Sequence, residues 1–201
     1  MKKLIHILII ATLFVVSSSW KYTEIQAYPA DPDNMMTCGP GNDKAGHEFE
    51  LAIEIELARF EGRTLRPYVA IWVENEKAET VRTLALWFNN YRWLPDLRRW
   101  YSKNYEKTQQ ADYIDAITGA TRPAGKYTFL WDGKDDQGKL LNHGNYTAYI
   151  EVVRERGTYQ LIRQPFELND IPQRFDLPPG AEVSSATIEY RKAEKTITAL
   201  K

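Results

Sequence analysis

The chain has 201 residues, a length suited to one domain of ordinary size. Its 26 Lys and Arg nearly cancel 27 Asp and Glu, leaving a formal net charge of −1, with no basic stripe for nucleic acid and no acidic tail. Cys38 is the only cysteine, so an intramolecular disulfide is excluded and the fold must rest on its core, for which six Trp, twelve Tyr and seven Phe supply apolar mass.

The N terminus reads as an export signal. Lys2 and Lys3 precede an apolar run from Leu4 to Val16, shorter than the ~20 residues of a membrane span. Small residues at Ser17-Ser18-Ser19 and at Gln26-Ala27 offer cleavage after Ser19 or after Ala27. Residues 1–27 are therefore expected to be a signal peptide. The mature protein would have no transmembrane segment and a periplasmic or otherwise extracytoplasmic location. Residues 28–47, rich in Pro, Asp, Asn and Gly, are predicted to form a flexible leader.

Residues 48–201 read as a single, mainly β domain. Phe49 to Leu57 alternates so that Leu51, Ile53, Ile55 and Leu57 share one face, with Glu50, Glu54 and Glu56 on a solvated face. Tyr68 to Glu74 places Val69, Ile71 and Val73 on one side and Trp72 on the other, and Val81 to Phe88 is a third strand. Turn residues between them predict an antiparallel meander. The pattern then changes. From Pro95 to Ala116, Leu97, Trp100, Tyr101 and Tyr105 recur at helical spacings in a polar background, predicting a helical insertion around 95–116. Strands resume at Gly125 to Trp131, Thr147 to Arg156, Tyr159 to Leu168 and Ala186 to Lys192. About seven short strands separated by turns predict an antiparallel β-sandwich.

The stretch Gly125-x-Tyr127-x-x-x-Trp131-Asp132-Gly133-x-Asp135-x-x-Gly138, continuing through Leu141 to Gly144 and Tyr146, resembles the Ig-like module of the flagellar hook-capping protein. The resemblance implies an Ig-like sandwich, with Tyr127, Trp131 and Tyr146 filling the space between sheets; it speaks to fold and not to function.

Ahead of that hairpin, directly after the predicted insertion, lies Asp115-Ala116-Ile117-Thr118-Gly119-Ala120-Thr121. This heptad resembles the acceptor motif of proteins that carry FMN covalently, esterified through its phosphate to the last hydroxyl, here Thr121. A chance match in a chain of this length is on the order of one in several thousand at average residue usage. In the resembled proteins a magnesium-dependent flavin transferase takes FMN from FAD and releases AMP, so the metal belongs to that enzyme. Gly119 and Ala120 are small and leave the hydroxyl accessible, and Gly119 is expected to permit a sharp turn. Thr118 is expected to bond a neighbouring backbone group, and Asp115 to cap a local N–H or position the loop. Arg122 is placed to pair with the attached phosphate, and Pro123 to stiffen the exit. Trp93, Trp100, Tyr101 and Tyr113 lie upstream as candidates to stack on the flavin, although ordinary core is the commoner fate of such residues.

Signal, alternating first strand, heptad and Trp-Asp-Gly hairpin together resemble a family of predicted periplasmic bacterial proteins catalogued as domain of unknown function 2271, over roughly Glu48 to Glu189. Other chemistry lacks support. Asp132, Asp135 and Asp136 have poor spacing for a calcium loop, and His47 and His143 stand far apart, so no metal site is expected. No Ser-His-Asp set, no catalytic carboxylate pair and no dinucleotide fingerprint occurs. The expectation is an exported protein with covalent FMN, transferring electrons in the cell envelope rather than converting a substrate, with a flavin transferase and a membrane-embedded reductase as partners. The alternative is a cofactor-free Ig-like binding or structural module.

Overall fold

The computed structural model describes residues 48–62 and 64–193. The expected signal peptide, the leader with Cys38, and His47 lie outside the described residues. Among the described residues nine strands form two sheets. Strands β1 (Phe49–Leu57), β5 (Gly125–Trp131), β8 (Gln173–Leu177) and β9 (Val183–Lys192) build the first, in the order β5-β1-β9-β8. Strands β2 (Tyr68–Asn75), β3 (Thr80–Trp87), β4 (Thr118–Gly119), β6 (Gly144–Val153) and β7 (Tyr159–Leu168) build the second, in the order β4-β3-β2-β6-β7.

The alternation read from the sequence sets which faces meet. Leu51, Ile53, Ile55 and Leu57 of β1 join Val69, Ile71 and Val73 of β2, Ile150 and Val152 of β6, and Ile188 and Tyr190 of β9 in one core shared by the two sheets. Trp131 and Tyr146 belong to it and Tyr127 packs against it, as the hairpin pattern implied. The ring of Trp131 meets those of Tyr146 and Phe166 edge-on at 6.2 and 6.1 Å.

Strand β2 is buried on both faces, which a two-sheet core alone does not explain. Its other face, Tyr68, Ala70 and Trp72, lies under the helical insertion. A 3-10 segment (Tyr91–Asp96), helix α1 (Arg98–Thr108) and helix α2 (Ala111–Ile117) cover it, burying Leu94, Leu97, Trp100 and Ile114 in a second cluster. Trp72 stacks on Tyr149 there at 4.8 Å and 6°. The insertion thus makes a third layer over the five-stranded sheet, its helical segments running from Tyr91 to Ile117 where the sequence pattern predicts 95–116.

A carboxylate from the sheet orients this layer. Leu97, at the N-terminal cap of α1, has no side chain to offer the helix's free N–H groups. Glu151 of β6, fully buried, accepts from the backbone N–H of Arg99 and of Trp100, both at 2.8 Å, and from the Tyr159 hydroxyl at 2.9 Å. Burial pushes its carboxyl above the usual range, while the two N–H bonds pull the other way. Beside it, Arg99 pairs with buried Glu74 at 3.1 Å, and Trp72 Nε1 donates to the same carboxylate at 3.0 Å.

Two expectations are corrected, and two short strands carry no signal in the sequence. Strands β2 and β3 do pair antiparallel, but β1 is not the first strand of their meander: it lies in the opposite sheet, between β5 and β9. The long strand after the Asp-rich turn begins at Gly144, earlier than read. Strands β4 and β8, of two and five residues, were too short to show a period.

Candidate functional site

The Asp115–Thr121 heptad occupies the passage from the helical layer to the sheet edges. Asp115, Ala116 and Ile117 form the last turn of α2. Thr118 and Gly119 then lie along the edge of β3 as the parallel strand β4, with Thr118 opposite Leu86 and Gly119 opposite Trp87. The N–H of Phe88 donates to the Gly119 carbonyl at 3.2 Å. Residues 120–124 carry the chain from this edge to β5, the edge strand of the other sheet.

Each member of the heptad has a definite role in that passage. Thr118 Oγ1 donates to the Ile114 carbonyl at 2.6 Å and closes the end of α2. Asp115 accepts from the Tyr91 hydroxyl at 3.3 Å, tying α2 to the 3-10 segment; among the described residues it caps no backbone N–H. Gly119 is extended rather than turned, so its role is not the one its conformational freedom suggested. A Cβ there would sit 3.0 Å from Trp87 Cδ1, tighter than most such contacts, so Gly119 permits close approach to the indole.

Thr121 is half-buried in the crossing segment. Its backbone carbonyl accepts from Arg66 at 3.3 Å, and two residues on the Pro123 carbonyl accepts from the Tyr127 hydroxyl at 2.8 Å. With the Gly119 carbonyl bonded to Phe88, the main chain is thus held on both sides, whereas the Thr121 hydroxyl has no hydrogen-bond partner among the described residues. Arg122 is exposed, and its guanidinium carbon stands 4.8 Å from the Trp87 ring centre and 5.6 Å from that of Tyr127. Arg66, on the Thr121 carbonyl, and Arg122, next in the chain, make no ion pair among the described residues, and their positive charge raises the local potential for an anion.

Next to this segment a groove of about 510 Å³ opens between β5 and the β3–β4 edge. Its walls include Trp87, Tyr127 and Phe129, its rim Arg122 and Lys126, and one side is the heptad itself from Ala116 to Gly119. Trp87 meets Tyr127 edge-on at 5.0 Å and Phe129 at 5.3 Å. The aromatics lining this groove are thus strand residues. Of those upstream in sequence, Trp100 is fully buried in the second core, and Trp93, Tyr101 and Tyr113 pack against that core.

The Asp-rich turn has occupants of its own. Asp135 Oδ1 accepts from the N–H groups of Gln137 and Lys139, at 3.0 and 2.9 Å. Asp136 pairs with Lys107 of α1 at 2.9 Å, and Asp132 with Lys134 at 2.8 Å. Among the described residues no three His, Cys, Asp or Glu side chains gather as metal ligands.

Residues 49–185 match the sequence profile of a family described as "Predicted periplasmic protein (DUF2271)". The chain belongs to this family. Its matched region takes in both sheets up to β9, the helical layer, the heptad and the groove. The family's description sets this DUF2271 protein outside the cytoplasmic membrane, the location expected from the sequence. Among the described residues no helix is long and apolar enough to cross a membrane. Neither among curated proteins nor among solved structures was a match found.

Proposed function

We propose that this DUF2271 protein carries FMN as a phosphoester on Thr121 and serves as an electron carrier in the cell envelope. The observation that carries the reading is the Thr121 hydroxyl: partnerless, on a segment whose backbone is pinned at both sides, within a heptad of the flavin-acceptor form. A modifying enzyme needs to reach that oxygen without unfolding its substrate, and a surface crossing between two sheet edges offers this.

The surroundings fit the group. Arg122, next in sequence, and Arg66, on the Thr121 carbonyl, provide guanidinium groups for a phosphate. The groove beside the attachment point carries the partly buried rings of Tyr127 and Phe129. Bound there, FMN would supply reversible one- and two-electron exchange. The protein's own part would be to tether, shield and tune. A flavin transferase would form the phosphoester, with the hydroxyl proton lost and AMP leaving from FAD. A membrane-embedded reductase is the electron donor consistent with an extracytoplasmic location. The scaffold is read as an Ig-like β-sandwich, on the support of two sheets facing one core and of Trp131 and Tyr146 inside it.

The test is export of the full chain beside a competent flavin transferase. Protein that stays yellow after denaturation, with an intact mass raised by one FMN less water and lost in Thr121→Ala, supports the reading. A colourless chain of unmodified mass would favour a cofactor-free envelope binding module instead.

A further inference from the structure

We infer that the buried Arg154–Glu182 pair positions the Thr121 segment, acting through the connection between β1 and β2 and its Arg66. The parts meet at one end of the sandwich. Arg154 follows β6, Glu182 precedes β9, and Leu57 at the end of β1 lies opposite Gly125, where the chain leaving the heptad enters β5. Arg154 and Glu182 are both buried, and Arg154 Nε and Nη2 donate to Glu182 Oε2 at 3.2 and 2.9 Å. The third nitrogen turns to the connection: Arg154 Nη1 donates to the Leu65 carbonyl. The Phe60 ring centre stands 4.6 Å from the same guanidinium carbon, and the N–H of Ala58 donates to the Glu182 carbonyl at 2.8 Å. Pro67 is buried. Arg66 is thus bracketed by a held carbonyl and a buried ring, and its Nη1 reaches the Thr121 carbonyl at 3.3 Å.

Several residues serve this pair. Thr158 Oγ1 donates to Glu182 Oε1, and Gln160 Oε1 accepts from the N–H groups of Glu182 and Val183 at 2.8 and 2.9 Å. A Cβ at Gly157 would come within 2.9 Å of Arg154 Cβ, and one at Gly180 within 2.1 Å of Gln160 Nε2, so both glycines clear the space these side chains need. A buried ion pair is often no more stabilising than apolar residues of the same volume, so stability alone does not account for it. The rigid guanidinium plane does: it fixes a carboxylate on one side and a backbone carbonyl on the other, which a single lysine ammonium does not. The Arg66–Thr121 bond is long and exposed, and by itself would be offset by the entropy of holding a long side chain. Fixing the backbone on both sides of Arg66 removes part of that cost. The consequence for flavin attachment rests on the Thr121 phosphoester proposed above. A transferase meets an acceptor oxygen already in place, and misplacement by about 1 Å can cost on the order of 10²-fold in rate.

Two readouts separate the link from its consequence. In the unmodified exported chain, the backbone amide order parameter at Thr121 from NMR relaxation reads the link. With an active transferase and FAD, the rate of FMN mass gain reads the consequence. Arg154→Lys keeps a charge on Glu182 but gives up Leu65, Phe60→Ala loosens the connection while leaving the ion pair whole, and Arg66→Gln cuts the last bond; melting curves confirm that each folds. The order parameter should fall from about 0.85 towards about 0.6 in all three, and FMN attachment should slow by roughly three- to tenfold. Arg154→Lys combined with Arg66→Gln should be no slower than Arg66→Gln alone, since both break one chain of contacts. Thr121 as rigid in Arg154→Lys and Phe60→Ala as in the wild type overturns the positioning role, and so do two rate effects that multiply. Should Arg154→Lys fail to fold, Phe60→Ala decides alone. A chain that gains no FMN mass overturns the Thr121 reading, and the order parameters still decide the link.

Discussion

Replacing Glu151 by Ala tests how the helical layer above the heptad is held. The substitution removes the acceptor of two helix N–H groups, at 2.8 Å each, and of the Tyr159 hydroxyl. Losing a helix N-cap costs about 0.5–2 kcal/mol. Trp100 is wholly buried, so its freed N–H finds no water, and an unsatisfied buried donor costs about 1–3 kcal/mol. Against this stands relief from burying a carboxylate, the same desolvation that pushes its pKa up. The net expectation is a loss of about 2–4 kcal/mol, or roughly 5–12 °C in melting temperature for a domain of this size. Circular dichroism melting gives the stability, and amide exchange at Arg99 and Trp100 should quicken in step. Glu151→Gln keeps one acceptor oxygen and should lose about half as much. Should the Ala variant melt within about 1 °C of the wild type, the sheet carboxylate is not what holds α1.

Other outcomes follow from the same contacts. Glu151 also predicts a pH dependence. A carboxyl whose folded pKa is raised contributes most below its unfolded pKa and loses that contribution as pH rises through the folded value. The stability of wild type relative to Glu151→Gln should therefore grow as pH is lowered from neutrality into the ordinary carboxylate range, as read by denaturant titration; an unchanged difference would contradict the raised pKa. Arg154 lies on buried Glu182, with Nη2 to Oε2 at 2.9 Å. Arg154→Met leaves that carboxylate uncompensated and should cost about 3–5 kcal/mol by the same titration. Gly119→Ala forces Trp87 to give way and should cost about 1–3 kcal/mol; a variant as stable as the wild type would mean the indole has room to spare.

The strands were legible because each buries one face and alternates with period two, as in Leu51, Ile53, Ile55 and Leu57. Their partners were not. Strand β1 pairs with β5 and β9, far along the chain, and no local pattern encodes which sheet a strand joins. Trp72, on the face opposite Val69, Ile71 and Val73, was the visible sign that something covers β2, and the helical spacing of Leu97 and Trp100 supplied the cover. Glu151 stood in plain sight as a carboxylate in the run Ala148-Tyr149-Ile150-Glu151-Val152-Val153, where an unpaired charge has no place.

The heptad was legible as residues but not as geometry. Its sequence neighbours Trp100 and Tyr113 suggested stacking partners, yet the insertion folds them over the outer face of the sheet. Trp87, Tyr127 and Phe129 come to the site because β4 lies along β3 and the chain then crosses to β5. A glycine that reads as a turn residue proved to be a contact residue, since only the folded neighbour, Trp87, explains its lack of a side chain.

Intact mass of the exported chain, made with and without an active flavin transferase, tests the central claim most directly. An increment of one FMN less water, appearing only with the transferase, absent from Thr121→Ala and retained in Thr121→Ser, is the predicted result. An unmodified mass beside a transferase that loads its other substrates, or an increment that survives Thr121→Ala, would contradict it.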